Sequence, residues 1–382
     1  MLATIANVAM ALRVPEWSRF GLAFDTFRDE IMVAPHKTEE WRPLGDEGTT
    51  RIMEEFERAG FLPITREVMR STLAMVANER KFDSAILWLK SLEWDGVPRV
   101  GKFLPEYCGA EDSPYTRAVS LYLWTALAGR VLEPGCKADM VPILVGRQGA
   151  KKTSAVAALV PSPDYFTEVN LTERDEDLSR KMRGRLVGEI GELRGLSTRD
   201  LESIKTFITR TDEDWIPKYK EFATRYPRRL VFIGTTNSKE FLADETGHRR
   251  WLPVEVDVSD VERIKTDRLQ LWAEAAVLWK AGGIAWREAE ELAPAVHQKH
   301  VVSDSWETLI SRWLDDPDEL GREPRRARPF NTSEVMGGAL SMSPSQMTKA
   351  NEMRVAKVLR SMGFDQRITK SNGKSTRVWK QL

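Results

Sequence analysis

The stretch Val141-Pro142-Ile143-Leu144-Val145-Gly146-Arg147-Gln148-Gly149-Ala150-Lys151-Lys152-Thr153 decides the fold of this chain. It opens with an apolar run that predicts a buried strand, and the run Ser154–Leu159 that follows it predicts a helix. A glycine-containing loop between a strand and a helix is typical of phosphate binding, because backbone N–H groups there surround a phosphate. In such loops a lysine reaches the phosphate oxygens and a hydroxyl ligates Mg²⁺.

The loop matches the phosphate-binding template G-x-x-x-x-G-K-[ST] except at its second glycine, where this chain has Lys151. If that position requires a positive φ, a lysine there costs about 1–2 kcal/mol. The loop nevertheless predicts a site for ATP and Mg²⁺, with Thr153 as a metal ligand. The residues expected to bind the nucleotide are Gly146, Gly149, Ala150, Lys151, Lys152 and Thr153. The alternative is a solvated basic turn between a strand and a helix.

A second run, Arg185–Ile190, predicts a strand that ends in carboxylates. In ATPases an acid at the tip of a buried strand, beside the phosphate loop, binds Mg²⁺ or orients the attacking water. Glu189 is the expected metal-side acid and Glu192 the expected general base, although these two roles could be exchanged. The alternative is that both are surface carboxylates at an ordinary strand end.

Two later strands have further candidates beside them. Asn237 follows the run Arg229–Ile233 and is expected to hold the lytic water or to sense the γ-phosphate. Arg249 and Arg250 precede the run Trp251–Val254 and suit an arginine finger, which stabilises charge in the transition state. A finger that acts in trans requires a ring or another oligomer. The alternatives are an asparagine at an ordinary turn and local salt bridges of the arginines.

Strands that alternate with helices predict an α/β fold with a parallel sheet. This pattern divides the chain into six segments. The two segments that precede the core are expected, taken together, to be mainly helical. The segments are 1–64, a mixed α and β region of unknown role; 65–135, a helical region; 136–257, a P-loop ATPase core; 258–314, a helical extension; 315–328, a charged linker; and 329–382, a basic, winged-helix-like domain that binds nucleic acid.

The charge of the chain is bipolar, although 57 basic and 57 acidic residues balance over its 382 residues. Residues 320–382 contain 13 basic and four acidic residues, so this segment carries +9 and the rest carries −9. A basic segment of this kind favours contact with nucleic acid. The 42% hydrophobic content excludes a mainly disordered chain. No apolar run reaches the length of a membrane span, and two cysteines in a chain of this length indicate a reducing, cytoplasmic location without a membrane partner.

The basic segment has the pattern of a winged helix. Met353–Met362 predicts a helix, while Phe364–Thr369 and Ser375–Lys380 predict two strands around the turn Asn372-Gly373. Helices followed by a basic hairpin are typical of winged-helix domains, which are relatives of helix-turn-helix DNA-binding domains. The expected phosphate contacts are Arg367, Lys370, Lys374 and Arg377. The alternative is a solvated charged face.

Several motifs taken together resemble the virulence-associated E family of phage and mobile-element proteins. These motifs are Leu92-Glu93-Trp94-Asp95-Gly96-Val97-Pro98-Arg99, Glu133–Lys137, Gly146–Thr153, Glu189–Leu193, Ile204–Arg210, Pro227-Arg228-Arg229, Gly234–Asn237 and Asp244–Trp251. They are collinear over roughly Lys81–Val256. The family's loop usually has glycine where Lys151 stands. Its ATPase module is similar to superfamily 3 helicases, so the resemblance implies an AAA+-like P-loop core.

The resemblance also implies roles for individual residues. Lys152 and Thr153 match the Walker A pair, Glu189 and Glu192 the acidic strand, Asn237 the sensor, and Arg249 or Arg250 the finger. The interval with Lys218, Tyr219 and Lys220 corresponds to the loop that grips single-stranded DNA in a central channel. Lysines around an aromatic ring suit phosphate contact together with base stacking. The alternative there is a basic turn packed against Trp215.

For the whole chain, the resemblance implies a ring-forming, hexameric, ATP-dependent DNA helicase or translocase in phage or mobile-element replication. Its expected partners are single-stranded DNA, duplex origin DNA and further copies of the chain. A separate primase or polymerase is also expected, because the first ~80 residues lack the acidic cluster that two-metal nucleotidyl transfer needs. The alternative is a non-catalytic DNA-binding initiator or scaffold, whose nucleotide site serves only assembly. Lys151 is the feature that separates these two functions.

Overall fold

The fold is described from a computed structural model of the chain. It describes residues 1–193, 198–216, 224–241, 248–300, 304–317, 324–371 and 374–381. Lys218, Tyr219 and Lys220, the expected single-strand contacts, lie outside the described residues. The chain divides into two compact units, Met1–Val301 and Val302–Leu382.

The first unit alternates helices with strands. Its helices are α1 Ile5–Leu12, α2 Pro15–Ser18, α3 Asp46–Arg58, α4 Arg66–Glu79, α5 Ser84–Lys90, α6 Phe103–Cys108, α7 Pro114–Leu132, α8 Lys152–Ala158, α9 Asp175–Met182, α10 Thr198–Thr209, α11 Val261–Gly282 and α12 Arg287–His297. Its strands are β1 Phe20–Asp25, β2 Glu30–Pro35, β3 Arg42–Pro43, β4 Lys81–Phe82, β5 Val141–Val145, β6 Phe166–Glu168, β7 Val187–Gly191, β8 Asp212–Trp215, β9 Thr224–Pro227, β10 Val231–Thr236 and β11 Trp251–Glu255.

Among the described residues, five strands form a parallel sheet in the order β11-β5-β10-β7-β6. The predicted α/β class with a parallel sheet is confirmed. All residues of β5 and β10 are buried, as expected for central strands with helices on both faces. The four strands that the sequence predicted all belong to this sheet. The edge strand β6 has three residues, too few to produce a recognisable period in the sequence.

Helix α7 lies at the centre of the main hydrophobic core. The Ser113 side chain forms a capping box at its start, and Pro114 takes the first helical position. The helix is buried on nearly all sides because α5, α6, α11 and α12 pack around it. Trp124, fully buried, contacts the rings of Phe103 and Trp272 edge-on, with centroids 5.2 and 5.9 Å apart. No helix in the described part of the chain is long and apolar enough to cross a membrane.

The N-terminal region combines helices with a small sheet in the order β3-β2-β1-β4. Strands β1 and β2 form an antiparallel hairpin, and β4 runs parallel to β1. Helices α1, α3 and α4 cover this sheet around the buried side chains of Phe56 and Met69. The N-terminal region therefore combines helices with short strands around its own hydrophobic core.

The amino ends of the central strands are covered by buried ion pairs. Arg228 and Arg229 precede β10 and belong to one of the motifs found in the sequence. Arg228 Nε donates to Glu213 Oε1 at 2.5 Å, and both side chains are only 1% exposed. Arg229 pairs with Asp83, just after β4. These adjacent arginines therefore stabilise the fold and do not form a basic surface.

The turn between β1 and β2 packs on the same edge of the central sheet. Arg183, before β7, pairs with Asp29 of this turn at 3.0 Å. The Tyr226 hydroxyl donates to the carbonyl oxygen of Phe27, which is fully buried. The N-terminal region is thus joined to the sheet by specific polar contacts in addition to the hydrophobic core.

The second unit contains helices and an antiparallel hairpin. Its elements are α13 Ser305–Asp315, α14 Thr332–Gly338, α15 Lys349–Ser361, β12 Phe364–Ser371 and β13 Lys374–Gln381. Together they enclose the fully buried rings of Phe330 and Trp379. The predicted helix and both predicted strands are present. The helix starts earlier than the apolar spacing suggested, because the Thr348 side chain accepts the Asn351 N–H and caps it.

Candidate functional site

The carboxyl ends of β5, β7 and β10 bring together five of the residues expected at the site. Strand β10 lies between β5 and β7, and all three run in the same direction, so the segments after them lie side by side. The segment after β5 carries Lys152 and Thr153, β7 carries Glu189 with Glu192 just beyond it, and Asn237 follows β10.

The loop after β5 has two residues in the left-handed region. Gly149 has a φ of 85°, and Lys151 has a φ of 57° with a ψ of 28°. Lys151 thus adopts the conformation that the template assigns to glycine, which strains the backbone by about 1–2 kcal/mol. A Cβ placed on Gly149 would meet no atom within 4 Å, so the loop borders open space at that point.

Gly146 is required by packing against the segment after β11. A Cβ at this position would lie 2.6 Å from the carbonyl oxygen of Val256, which is too close for any side chain. Further along the loop, the Ser259 N–H donates to the carbonyl oxygen of Ala150 at 3.1 Å. Backbone contacts therefore hold the loop in place without a ligand.

The Lys152 ammonium is held within the loop by neutral groups. Its Nζ donates to the carbonyl oxygens of Gly146 and Arg147, at 2.7 and 3.0 Å, and to Asn237 Oδ1 at 2.8 Å. The residue is 8% exposed. Burial lowers the pKa of Lys152, while two nearby carboxylates act in the opposite direction. The three donors of the ammonium are therefore all used, but by partners without charge.

The Glu189 carboxylate is buried and hydrogen-bonded by two hydroxyls. Its Oε1 accepts from Thr153 Oγ1 and from Thr235 Oγ1, each at 2.7 Å, and the residue is 2% exposed. Sequence reasoning missed Thr235. Its signal in the sequence is a hydroxyl residue near the end of a mainly apolar strand. This signal is weak, because threonine is common in strands.

Asn237 connects the lysine to the second acid. While its Oδ1 accepts from Lys152, its Nδ2 donates to Glu192 Oε1 at 3.1 Å. Glu192 is exposed and has a φ of 43°, an uncommon conformation for a residue other than glycine. The two acids thus differ in environment: Glu189 is buried against hydroxyls, and Glu192 lines open space.

These side chains line a cavity of about 1030 Å³. Its other walls come from the segment after β6, from α9 and from α10. Two cations on those walls are ion-paired, Lys181 with Glu173 at 3.2 Å and Arg210 with Asp175 at 2.6 Å. The volume is near the upper end of the roughly 300–1,000 Å³ found for small-molecule sites. A ligand of nucleotide size therefore fits.

Arg249 and Arg250 lie at the opposite edge of the sheet. They precede β11, whose first residue, Trp251, pairs with Val141 at the start of β5, whereas the loop follows the end of β5. A strand of this length separates the two edges by about 16 Å. Arg249 is 60% exposed and pairs with Glu290 at 3.4 Å. These arginines do not join the site of their own chain.

In the second unit, the hairpin exposes Arg367 and Arg377 on different faces. Arg367 pairs with Val378, and Arg377 pairs with Ile368, so the pleat of the strands turns the two arginines to opposite sides. A flat ligand surface can therefore meet only one of them directly. The other two expected contacts are Lys370 and Lys374. Their backbone lies in β12 and β13, and their side chains lie outside the described part of the structure.

A family model described as the virulence-associated protein E-like domain matches residues 89–302, more than half of the chain. The chain belongs to this family. The matched range contains Lys152, Glu189, Glu192 and Asn237, and it extends beyond the motifs recognised in the sequence as far as the end of α12.

Similar solved structures are those of the C-terminal region of NrS-1 in apo form. One covers 97% of this chain and 98% of that chain, with a TM-score of 0.54 and 12% identity. A second covers 98% and 99%, with a TM-score of 0.51 and 13% identity. At this identity the likeness concerns the fold alone. No curated protein sequence matches the chain.

Proposed function

We propose that this chain is a Mg²⁺-dependent ATP hydrolase that works on DNA, as a ring-forming helicase or translocase in phage or mobile-element replication. The observation that carries the proposal is the meeting of Lys152, Thr153, Glu189 and Asn237 beside one cavity. P-loop ATPases hold the phosphates with a loop lysine and hold Mg²⁺ with a loop hydroxyl and an acid on the neighbouring strand. Membership of the virulence-associated protein E-like family supports the replication role.

Lys152 is suited to bind the β- and γ-phosphate oxygens. Its present partners are two carbonyls and an amide, all neutral. Hydrogen bonds between an ammonium and an anionic oxygen are about twice as strong as those with a neutral acceptor. The exchange of these partners for phosphate is therefore favourable, and it releases Asn237 toward the incoming γ-phosphate.

Thr153 and Glu189 fit a magnesium ion, because a hydroxyl and a carboxylate are the oxygen ligands that this ion prefers. When bound, Mg²⁺ would neutralise charge on the phosphate oxygens. Glu192 is the better candidate for the general base, since it lines the cavity, is exposed to it and accepts an amide N–H from Asn237. Glu189 is the better candidate for the metal side, because its carboxylate is already oriented by two hydroxyls.

We propose that Arg249 or Arg250 acts in trans as an arginine finger, which requires several copies of the chain in a ring. The family resemblance implies that this ring is a hexamer. Arg249 and Arg250 lie at the sheet edge away from their own site, so one of them reaches a phosphate only in a second copy of the chain. Native mass spectrometry with ATP and DNA tests this assembly. An obligate monomer that still hydrolyses ATP would contradict the trans arrangement.

DNA is the proposed partner of both units. In the first, Lys218, Tyr219 and Lys220 are proposed to contact a single strand. In the second, the winged-helix-like hairpin is proposed to contact phosphates through Lys370, Lys374 and one of Arg367 and Arg377, since these two arginines lie on opposite faces. Exposure of Arg367 and Arg377 supports the second part of the proposal. A separate primase or polymerase completes the proposed set of partners, and robust primer synthesis by this chain alone would contradict it.

A second candidate function is a non-catalytic DNA-binding initiator whose nucleotide site serves assembly. Lys151 favours it, because this residue stands where the phosphate-loop template has its second glycine. This candidate predicts nucleotide binding without turnover.

The test is DNA-stimulated phosphate release by the wild type, Lys152→Ala and Glu189→Gln. Each substitution is expected to lower the rate by about 10²–10³-fold, as the loss of one charged or donor group at a reacting centre does. Lys181→Ala is the matched control, since Lys181 lines the same cavity but pairs with Glu173. Equal silence of all four proteins with DNA present, combined with ADP binding by calorimetry, would favour the initiator.

A further inference from the structure

Glu189 Oε1 accepts hydrogen bonds from two hydroxyls that belong to different elements. Thr153 is part of the phosphate loop, whereas Thr235 lies on β10, and each hydroxyl oxygen is 2.7 Å from the carboxylate oxygen. Glu189 is 2% exposed and Thr235 5% exposed, so water does not compete for either bond.

We propose that Thr235 is a positioning residue for ATP hydrolysis, whose hydroxyl fixes the orientation of the Glu189 carboxylate through Oε1 and so directs Oε2. This inference rests on the function proposed above. It assigns a role to the strand that ends in Asn237, in addition to that of the asparagine itself.

The backbone of Thr235 is more firmly fixed than that of Thr153. Thr235 pairs with Leu144 of β5 on one side and with Gly191 of β7 on the other. Its branched side chain has few rotamers, so a fixed backbone fixes the hydroxyl. Thr153 sits instead in the first turn of α8, after the strained Lys151. If the Thr153 hydroxyl oxygen ligates a metal, its bond to Glu189 is perturbed, while the bond from Thr235 is independent of the metal.

Thr236 offers a matched control on the same strand. It is also buried, at 3% exposed, and its Oγ1 accepts a hydrogen bond from the Ser238 N–H at 3.1 Å. Replacement of Thr236 by valine removes a buried hydroxyl of the same type without removing a donor to Glu189.

The experiment compares Thr235→Val, Thr235→Ser and Thr236→Val in the full chain. Two quantities are measured: the gain in ADP affinity when Mg²⁺ replaces EDTA, by calorimetry, and kcat and KM for ATP. We expect Thr235→Val to lower the Mg²⁺-dependent gain and kcat by about tenfold each, the effect of one lost hydrogen bond to a charged group, with a smaller change in KM. Thr235→Ser keeps the hydroxyl and should recover most of both values, and Thr236→Val should lower both values much less than Thr235→Val does.

Equal behaviour of Thr235→Val and Thr236→Val would overturn the positioning role and leave the proposed function intact. A wild-type chain whose ADP binding is indifferent to Mg²⁺ would overturn both. If Thr235→Val does not fold, Thr235→Ala against Thr235→Ser gives the same comparison, because these variants differ only in the hydroxyl. A loss that serine fails to recover would also contradict the role.

Discussion

Charged side chains have different partners at the two ends of the central strands. We call the end where these strands begin the amino edge of the sheet, and the end where they finish the carboxyl edge. At the amino edge, Arg228 is buried against the carboxylate of Glu213, a partner of opposite charge. At the carboxyl edge, the Lys152 ammonium contacts two carbonyls and an amide, and the Glu189 carboxylate accepts from two hydroxyls. The first edge is covered by the N-terminal region, and the second borders the cavity.

Buried charged groups differ in whether a counter-ion already neutralises them. A buried ion with a counter-ion is already neutralised, so a charged ligand gains little from it. Lys152 instead donates its hydrogen bonds to neutral groups, with two carboxylates nearby, so an anionic oxygen that replaces these neutral acceptors gains charge-assisted hydrogen bonds. We therefore expect Lys152 and Glu189 to contact the proposed ligand, whereas Arg228 contributes to the fold.

The largest effect is expected when the ion pair between Arg228 and Glu213 at the amino edge is broken. Arg228→Met leaves Glu213 as an unpaired buried charge, and removal of one member of such a pair destabilises a fold by about 3–5 kcal/mol. The measurement is the free energy of unfolding in urea. The double variant Arg228→Met with Glu213→Met is the control, because it removes both charges and should recover most of the loss. A single variant that loses less than about 1 kcal/mol would show that this edge does not depend on the pair.

A smaller effect is expected at the carboxyl edge from Lys151→Gly. Glycine relieves about 1–2 kcal/mol of strain and costs about 0.5–1 kcal/mol of chain entropy, so a net gain of roughly 0.5–1 kcal/mol is expected. Lys37→Gly is the matched control, since Lys37 also has a positive φ, of 66°, in a loop of the N-terminal region. Both should stabilise the chain in thermal unfolding, and ADP binding should stay close to that of the wild type, because the strain at Lys151 is present before the ligand binds. Weaker ADP binding by Lys151→Gly would show that the lysine at this position contributes to the site.

The smallest effect is a pH dependence at the amino edge. His297 contacts the carbonyl oxygen of Trp251, at the start of β11, at 2.7 Å, and burial lowers the pKa of His297 below its ordinary value of 6.5. Below pH 6.5 the unfolded chain therefore binds a proton that the folded chain does not, and stability falls as the pH falls. His297→Gln should make the midpoint temperature of thermal unfolding less dependent on pH between about pH 7 and pH 5. An unchanged slope would contradict this source of acid sensitivity.

Local patterns predicted the site residues that are defined by their position in a strand–loop–helix unit. The order of apolar run, glycine-containing loop and apolar helix places Lys152 and Thr153 within one short stretch, so no distant contact is needed to locate them. Glu189 and Asn237 were selected because Glu189 is an acid within an apolar run and Asn237 closely follows another. The contact between Lys152 and Asn237 forms because β10 lies next to β5 in the sheet. This neighbourhood follows from the strand order of the folded sheet.

Other features could not be predicted because their signal is distributed over distant segments. Thr235 looks like any strand threonine until Glu189 is found beside it. Arg228 and Arg229 look like a basic patch until Glu213 and Asp83 are found to neutralise them. In each case the partner is remote in sequence, and nothing in the local pattern specifies it.

The sequence by itself determined the α/β class, the parallel strands, the loop from Gly146 to Thr153 and the basic hairpin at the carboxyl end, because periodicity and turn chemistry are encoded over a few neighbouring residues. Only the tertiary structure decided which charges are neutralised and which face the cavity. It also placed Arg249 and Arg250 at the edge away from their own site. The physical reason is that burial and pairing depend on strand order, and strand order arises from packing of the whole sheet.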